Sequence, residues 1–328
     1  MEGYPNKKIY TAEEIGAPVS PEQLPTKELF KASLSFDFVF GIKDGQKHPF
    51  CIEINGEDSG IAGAQKLPGL DSTKKILAGI RDQRDHYALT KNRKAAGVVR
   101  DIKNGDFSMT PEGAKKLTTF LRTQYHDKVK MFPNAYINDV GLQSIADDKS
   151  KQSNFIPSEN LPRILTIDDT DHHSESGYWI VKPNLGIGGR GIQVVSNLEI
   201  DSVLAEHRDA LQKNYTIQEY VPSAGADMAG PERSEHAASL RLLIDFRYLE
   251  SDDIDITYAF AYQRVGDVPV NITSSSNKER EETVVINLAR GAEAYEASPN
   301  EYTMAYEVAL KVIHNMAKSY SDDAIQSS

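Results

Sequence analysis

The residues with the greatest chemical reach lie in Tyr178–Ser196, YWIVKPNLGIGGRGIQVVS. Two apolar, β-prone runs, 179–181 and 192–195, flank Lys182, Pro183 and the glycines Gly186, Gly188, Gly189 and Gly191. Glycines at that density remove the Cβ atoms that keep a ligand from backbone N–H groups, and a run of such groups forms a nest for phosphate oxygens. Lys182 and Arg190 add positive charge beside it. A Walker loop needs Gly-Lys-Ser/Thr opening a helix, and a dinucleotide fingerprint needs a helix after its glycines. Here a strand follows, which makes the segment a hairpin flap able to fold over a nucleotide. The alternative is an ordinary glycine-rich surface hairpin.

A second set is Glu53-Ile54-Asn55, at the end of an apolar strand. Residues two apart in a strand share a face, so Glu53 and Asn55 project together, and Asp37 on the preceding strand can join them. Two carboxylates and an amide oxygen are hard ligands suited to Mg²⁺ (or Mn²⁺) carrying nucleotide phosphates. Polar residues turned to solvent at a strand end are the competing explanation.

The elements that must position these groups follow from the pattern along the chain. Residues 1–25 carry Pro5, Pro18, Pro21 and Pro25 and read as an extended arm, with Lys27 to Ser33 as a short helix. Strands are expected over 35–42 and 49–55, joined through Asp44-Gly45 by a connection longer than two residues. Residues 71–102 and 110–127 carry a charged helical pattern, the second with Thr110 as N-cap and Pro111 at the first helical position. Further strands are expected at 161–167, 215–221, 239–247 and 256–264, and helices at 198–213 and 299–320. Residues 271–282 are serine-rich, charged and without an expected element.

Composition narrows the class. The 328 residues hold 39% hydrophobic side chains, enough for a sizeable core. Acidic residues outnumber basic ones by 48 to 37, a net charge of −11 that argues against nonspecific nucleic-acid binding. The single cysteine, Cys51, excludes an intramolecular disulfide and fits a reducing, cytoplasmic setting. No apolar run approaches the ~18 residues of a membrane span, and the N-terminus lacks a signal-peptide core.

In this order the motifs resemble those of the ATP-grasp superfamily. Lys182 resembles the lysine that contacts the nucleotide from the strand before the flap, and Gly188, Gly189 and Gly191 resemble the flap. Asp148-Lys149 resembles the earlier nucleotide-contacting lysine. Gln218-Glu219-Tyr220-Val221 resembles the strand whose backbone and acidic residue hold adenine. Arg241, Arg264 and Asn287-Leu288-Ala289-Arg290-Gly291 resemble the arginine strands and Asn…Gly element of amino-acid-adding ligases. One departure is large. The strands bearing Asp and Glu-x-Asn normally follow the last helix, whereas SFDFVF and FCIEINGEDSG stand near the N-terminus. The resemblance is therefore to a circularly permuted member.

The resemblance implies an α/β (α+β) ATP-grasp fold with two lobes clasping ATP. The expected organisation is an arm at 1–34, metal-binding strands at 35–70, a helical substrate-side segment at 71–131 and the lobes at 132–328. It implies an ATP-dependent ligase that joins a carboxylate to an amine through an acylphosphate. Asp37, Glu53 and Asn55 would hold the metal. Lys149, Lys182, Gly188, Gly189, Gly191, Gln218, Glu219 and Val221 would hold ATP, and Arg264, Arg241 and Asn287 would act at the reacting carboxylate. A small-molecule kinase and a non-catalytic ATP-binding module stay open on the same residues. The partners expected are small-molecule substrates, with neither nucleic acid nor membrane. The oligomeric state is not fixed by the sequence, a homodimer being one option.

Overall fold

A computed structural model describes residues 8–10, 28–56, 146, 148–184, 189, 191–249, 252–286 and 291–326. In chain order its strands are β1 (Lys8–Tyr10), β2 (Glu28–Lys43), β3 (Gln46–Gly56), β4 (Ile164–Leu165), β5 (Tyr178–Pro183), β6 (Gln193–Ser196), β7 (Tyr215–Glu219), β8 (His236–Leu249), β9 (Ile254–Pro269) and β10 (Glu293–Glu296). Its helices are α1 (Lys149–Gln152), α2 (Ile200–Asn214), α3 (Asn277–Val284) and α4 (Pro299–Gln326). The described residues form a mixed α+β structure with two antiparallel sheets. One has the order β1-β9-β8-β2-β3 with β10 also on β9, and the other has the order β4-β7-β5-β6.

Alternation with period two builds the larger sheet. Leu34, Phe36, Phe38 and Phe40 of β2 face the same side as Leu240, Leu242, Ile244 and Phe246 of β8, and all are buried. The apolar stripe of α4, with Ala305, Ala309, Val312, Ile313 and Met316, covers that side in one core cluster. Each of the larger side chains, the Leu, Ile, Val, Phe and Met, contributes about 1.5–3 kcal/mol by leaving water. The opposite face of the sheet carries Ser35, Asp37, Ser239, Arg241, Tyr262 and Arg264, the residues of the alternate set.

The smaller sheet repeats the scheme. Trp179 and Val181 of β5, Val195 of β6 and Ile217 of β7 pack with Ile200 and Leu204 of α2. Its other face presents Lys182, Thr216 and Gln218, which are register partners or neighbours on β5 and β7. The two sheets meet closely. Ala224 N donates to Phe40 O (2.6 Å), and a Cβ on Gly41 would lie 2.7 Å from Val221 Cγ1. Glycine at 41 is what permits that approach.

Several expectations are corrected. The helix expected at Lys27–Ser33 is replaced by strand from Glu28, where β2 begins and pairs with β8 from Leu249 onward; Lys27 lies outside the described residues. The β2–β3 turn is the two-residue Asp44-Gly45, both at positive φ (52° and 74°), the conformation that matches strand twist in a tight hairpin. Strand 161–167 shrinks to Ile164–Leu165. The serine-rich stretch contains α3, whose N-cap Ser276 accepts from Glu279 N. The helical pattern at 71–131 lies outside the described residues.

Candidate functional site

The site begins with the cross-strand register. Glu53 on β3 sits opposite Asp37 on β2, Asp37 opposite Arg241 on β8, and Arg241 opposite Tyr262 on β9. One step along, Ser239 lies opposite Arg264. Because paired residues share a face, four strands deliver a single row of charged and polar groups. The β2–β3 register shifts between Asp37 and Phe38, where Glu53 and then Cys51 are paired and Ile52 is skipped. That bulge turns the Ile52 carbonyl toward the smaller sheet, where it accepts from Lys182 Nζ at 3.2 Å.

Asp37 is buried, 3% exposed, and holds two guanidiniums. Arg241 donates Nε to Oδ1 and Nη2 to Oδ2, both at 2.6 Å, and Arg264 Nη2 lies 3.0 Å from Oδ1. Arg264 also donates Nε (3.1 Å) and Nη2 (2.8 Å) to Ser239 Oγ. Burial alone would raise the Asp37 carboxyl, but the charges of Arg241 and Arg264 outweigh it and hold the group well below the usual carboxylate range.

Across the cleft, Lys182 is 8% exposed and donates to Gln218 Oε1 at 2.5 Å. Burial pushes its ammonium down to about 8; Glu53 opposes that shift and Lys149 reinforces it. Lys149 arrives from α1. Its amide donates to Asn184 O (3.1 Å) just after β5, and its Nζ lies 3.0 Å from Glu53 Oε1. Asp148 caps the helix by accepting from Ser150 N at 3.1 Å. A small cavity at this junction is lined by Ile52, Lys149, Gln152, Ile164, Lys182, Thr216 and Gln218, among others. Among the described residues, four cationic side chains (Lys149, Lys182, Arg241 and Arg264) face two carboxylates (Asp37 and Glu53). A cationic excess within a chain of net charge −11 marks this cleft as a place for an anion.

The expected metal set divides. Glu53, whose side chain is 25% exposed, and Asn55 lie on the same face of β3. The Asn55 Nδ2 is buried with no partner among the described residues. One carboxylate, one amide and incoming phosphate oxygens are a donor set that Mg²⁺ or Mn²⁺ accepts. Asp37 does not fit. A dication at ~4 Å from a guanidinium meets about 8 kcal/mol of repulsion at an effective dielectric of ~20, and Asp37 carries two guanidiniums.

Other expected residues take different places. Glu219 has the opposite parity to Gln218 and points away from the cleft. Its Oε1 accepts from Ser174 Oγ (2.9 Å), Glu175 N (2.7 Å) and Ser176 N (3.4 Å), tying down that loop instead of facing a ligand. Val221 packs at Gly41 where the sheets meet. Gly189 and Gly191 both adopt φ 73°, and a Cβ on Gly189 would come within 2.5 Å of Val285 Cγ1. Gly188 and Asn287 lie outside the described residues.

Three supports were not foreseen. Gln152 donates Nε2 to Ile54 O (2.6 Å) and accepts from Ile54 N (2.9 Å), acting as a strand neighbour for the edge strand β3 beside Glu53. Asn277 and Arg280 of α3 do the same for β6, receiving Val194 N (2.8 Å) and donating to Val194 O (3.0 Å). Ser239 fixes Arg264. The Asn-x-x-Arg spacing after a serine cap was a visible signal for the second of these; the others needed tertiary contacts.

No family model matches the sequence, and no curated protein matches it. Among solved structures, a glutathione synthetase like-effector from Globodera pallida, in its apo form, matches with a TM-score of 0.41 and 10% identity, covering 72% of this chain and 73% of that one.

Proposed function

We propose that the chain is an ATP-dependent carboxylate–amine ligase of ATP-grasp type, with its metal-binding strands circularly permuted to the N-terminal side. The observation that carries this is the convergence of Lys149, Lys182 and Gln218, from the smaller sheet and its attached helix, onto Glu53 and the Ile52 carbonyl of the larger sheet, in the row that continues through Asp37 to Arg241 and Arg264. A triphosphate lying between the sheets would meet both ammonium groups. Lys149 would then exchange its bond to Glu53 for one to phosphate. The glycine-bearing β5–β6 hairpin would cover the phosphates and exclude water.

Glu53 and Asn55 would hold Mg²⁺, which would supply charge neutralisation to the nucleotide phosphates. A substrate carboxylate oxygen attacks the γ-phosphorus, the bond to ADP breaks, and an acylphosphate forms. Lys149 and Lys182 spread the charge on the transferring group. An amine then attacks the acyl carbon, phosphate leaves, and the ammonium proton is lost to solvent as the amide forms. The role assigned to Arg264 and Arg241 is to stabilise the oxyanion of that second step, a reading supported by their position in the same row as Glu53. The substrates are small molecules, and amino-acid or peptide-like carboxylates suit the arginine pair.

A second reading has one observation in its favour. With Asp37 committed to the arginines, one of three expected metal oxygens is withheld, which suits a nucleotide-binding module without turnover. The discriminating experiment incubates the protein with Mg²⁺, ATP and a matrix of carboxylates and amines. ADP and phosphate that appear only with a carboxylate–amine pair support the ligase. AMP and pyrophosphate, or ATP bound without turnover across the matrix, refute it.

A further inference from the structure

We propose that Asp37 is a positioning residue that holds Arg241 and Arg264 as a preformed anion clamp, and that Glu53 and Asn55 alone form the cation-binding corner. This rests on the nucleotide-binding reading above and assigns the residues within it. Both Asp37 oxygens are engaged. Arg241 takes them side by side at 2.6 Å, and Arg264 shares Oδ1 at 3.0 Å. Such paired, planar contacts fix direction as well as charge. Ser239 Oγ receives Nε and Nη2 of Arg264, so the second guanidinium is held at two further points. The row Glu53, Asp37, Arg241 across three adjacent strands sets Asp37 between the cation corner and the arginines.

Burial separates the two carboxylates functionally. The Asp37 side chain is 4% exposed and the Glu53 side chain 25%. Glu53 holds an ammonium that can leave for a phosphate, whereas Asp37 holds two arginines built into the centre of the sheet. A clamp so fixed is ready for a phosphoryl or carboxylate oxygen without reorganisation. Any cation entering with the nucleotide is directed to the Glu53 edge.

The test uses calorimetric binding of the non-hydrolysable analogue AMP-PNP in Mn²⁺ and, separately, in EDTA. The ratio of the two dissociation constants reads the metal contribution and cancels the contribution of the arginines. Asp37→Asn alone would add positive charge beside the metal, so the double variant Asp37→Asn/Arg241→Gln, which keeps the net charge, is used. The ratio is expected within about threefold of wild type in the double variant and near one in Glu53→Gln. Ser239→Ala, which changes no charge, is expected to weaken binding in EDTA by about three- to tenfold and leave the ratio in place. A ratio that collapses in the double variant, or EDTA binding unmoved by Ser239→Ala, overturns this assignment alone. No AMP-PNP binding by wild type in either buffer overturns the nucleotide reading and this inference with it.

Discussion

Lys182 gives the most quantitative handle on the cleft. Its ammonium is buried against the Ile52 carbonyl and Gln218, and burial lowers its pKa from an ordinary 10.5 to about 8. That drop corresponds to about 3 kcal/mol disfavouring the charged form. The sign for stability follows. The unfolded chain keeps this proton up to 10.5 and the folded chain releases it near 8, so stability gains from this group as pH rises between those values. For a phosphate ligand the sign is opposite, since only the ammonium attracts it. The dissociation constant for ATP should rise about tenfold between pH 7 and 9, with one proton taken up per ATP bound at the alkaline end. Lys182→Met should remove this pH dependence and weaken binding at pH 7 by about 1.5–3 kcal/mol, the range for a charge-assisted hydrogen bond. Calorimetry in buffers of different ionisation enthalpy reads both the constant and the proton count. Wild-type affinity that stays flat from pH 7 to 9, or a step that survives in Lys182→Met, would refute the role given to this lysine.

Other outcomes follow from individual contacts. Glu53→Gln should abolish ADP formation and free Lys149 from its ion pair; wild-type turnover in that variant would remove Glu53 from the cation corner. Gly41→Ala, whose new methyl would sit 2.7 Å from Val221 Cγ1, should cost about 1–3 kcal/mol by urea denaturation through overpacking between the sheets. Lys47→Met should be more damaging, about 3–5 kcal/mol, because it leaves fully buried Glu301 and nearby Asp227 without the ammonium they share at 2.5 and 2.7 Å. Cys51 is 0% exposed, and burial raises its thiol pKa, so it should resist thiol reagents at pH 8 until the protein unfolds.

What the sequence revealed depended on the range of the interaction. Period-two alternation in 239–247 and 256–264 was enough to find β8 and β9, and the i, i+2 rule was enough to put Glu53 and Asn55 on one face. The same rule was not applied to Gln218 and Glu219, which the sequence reading assigned together to ATP although the side chains of consecutive strand residues point to opposite faces. The helical reading of Lys27–Ser33 failed for a different reason. Glu-Leu-Phe-Lys-Ala-Ser has no decisive local preference, and pairing with residues 245–249 of β8 decides it. The fate of Asp37 was not legible, because its partners Arg241 and Arg264 lie more than two hundred positions away and become neighbours only through sheet order. The Lys47–Glu301 pair, 254 positions apart, is illegible for the same reason.

Hydrogen–deuterium exchange with and without ATP and Mg²⁺ tests the central claim most directly, because it locates the ligand without presuming a reaction. Protection is predicted in β5, β7, α1 and the Ile52–Asn55 end of β3, the four segments that meet at Lys182, Gln218, Lys149 and Glu53. Lys182→Met should reduce that protection at subsaturating ATP. Protection confined to other segments, or none at millimolar ATP, would contradict the assignment of this cleft as a nucleotide site.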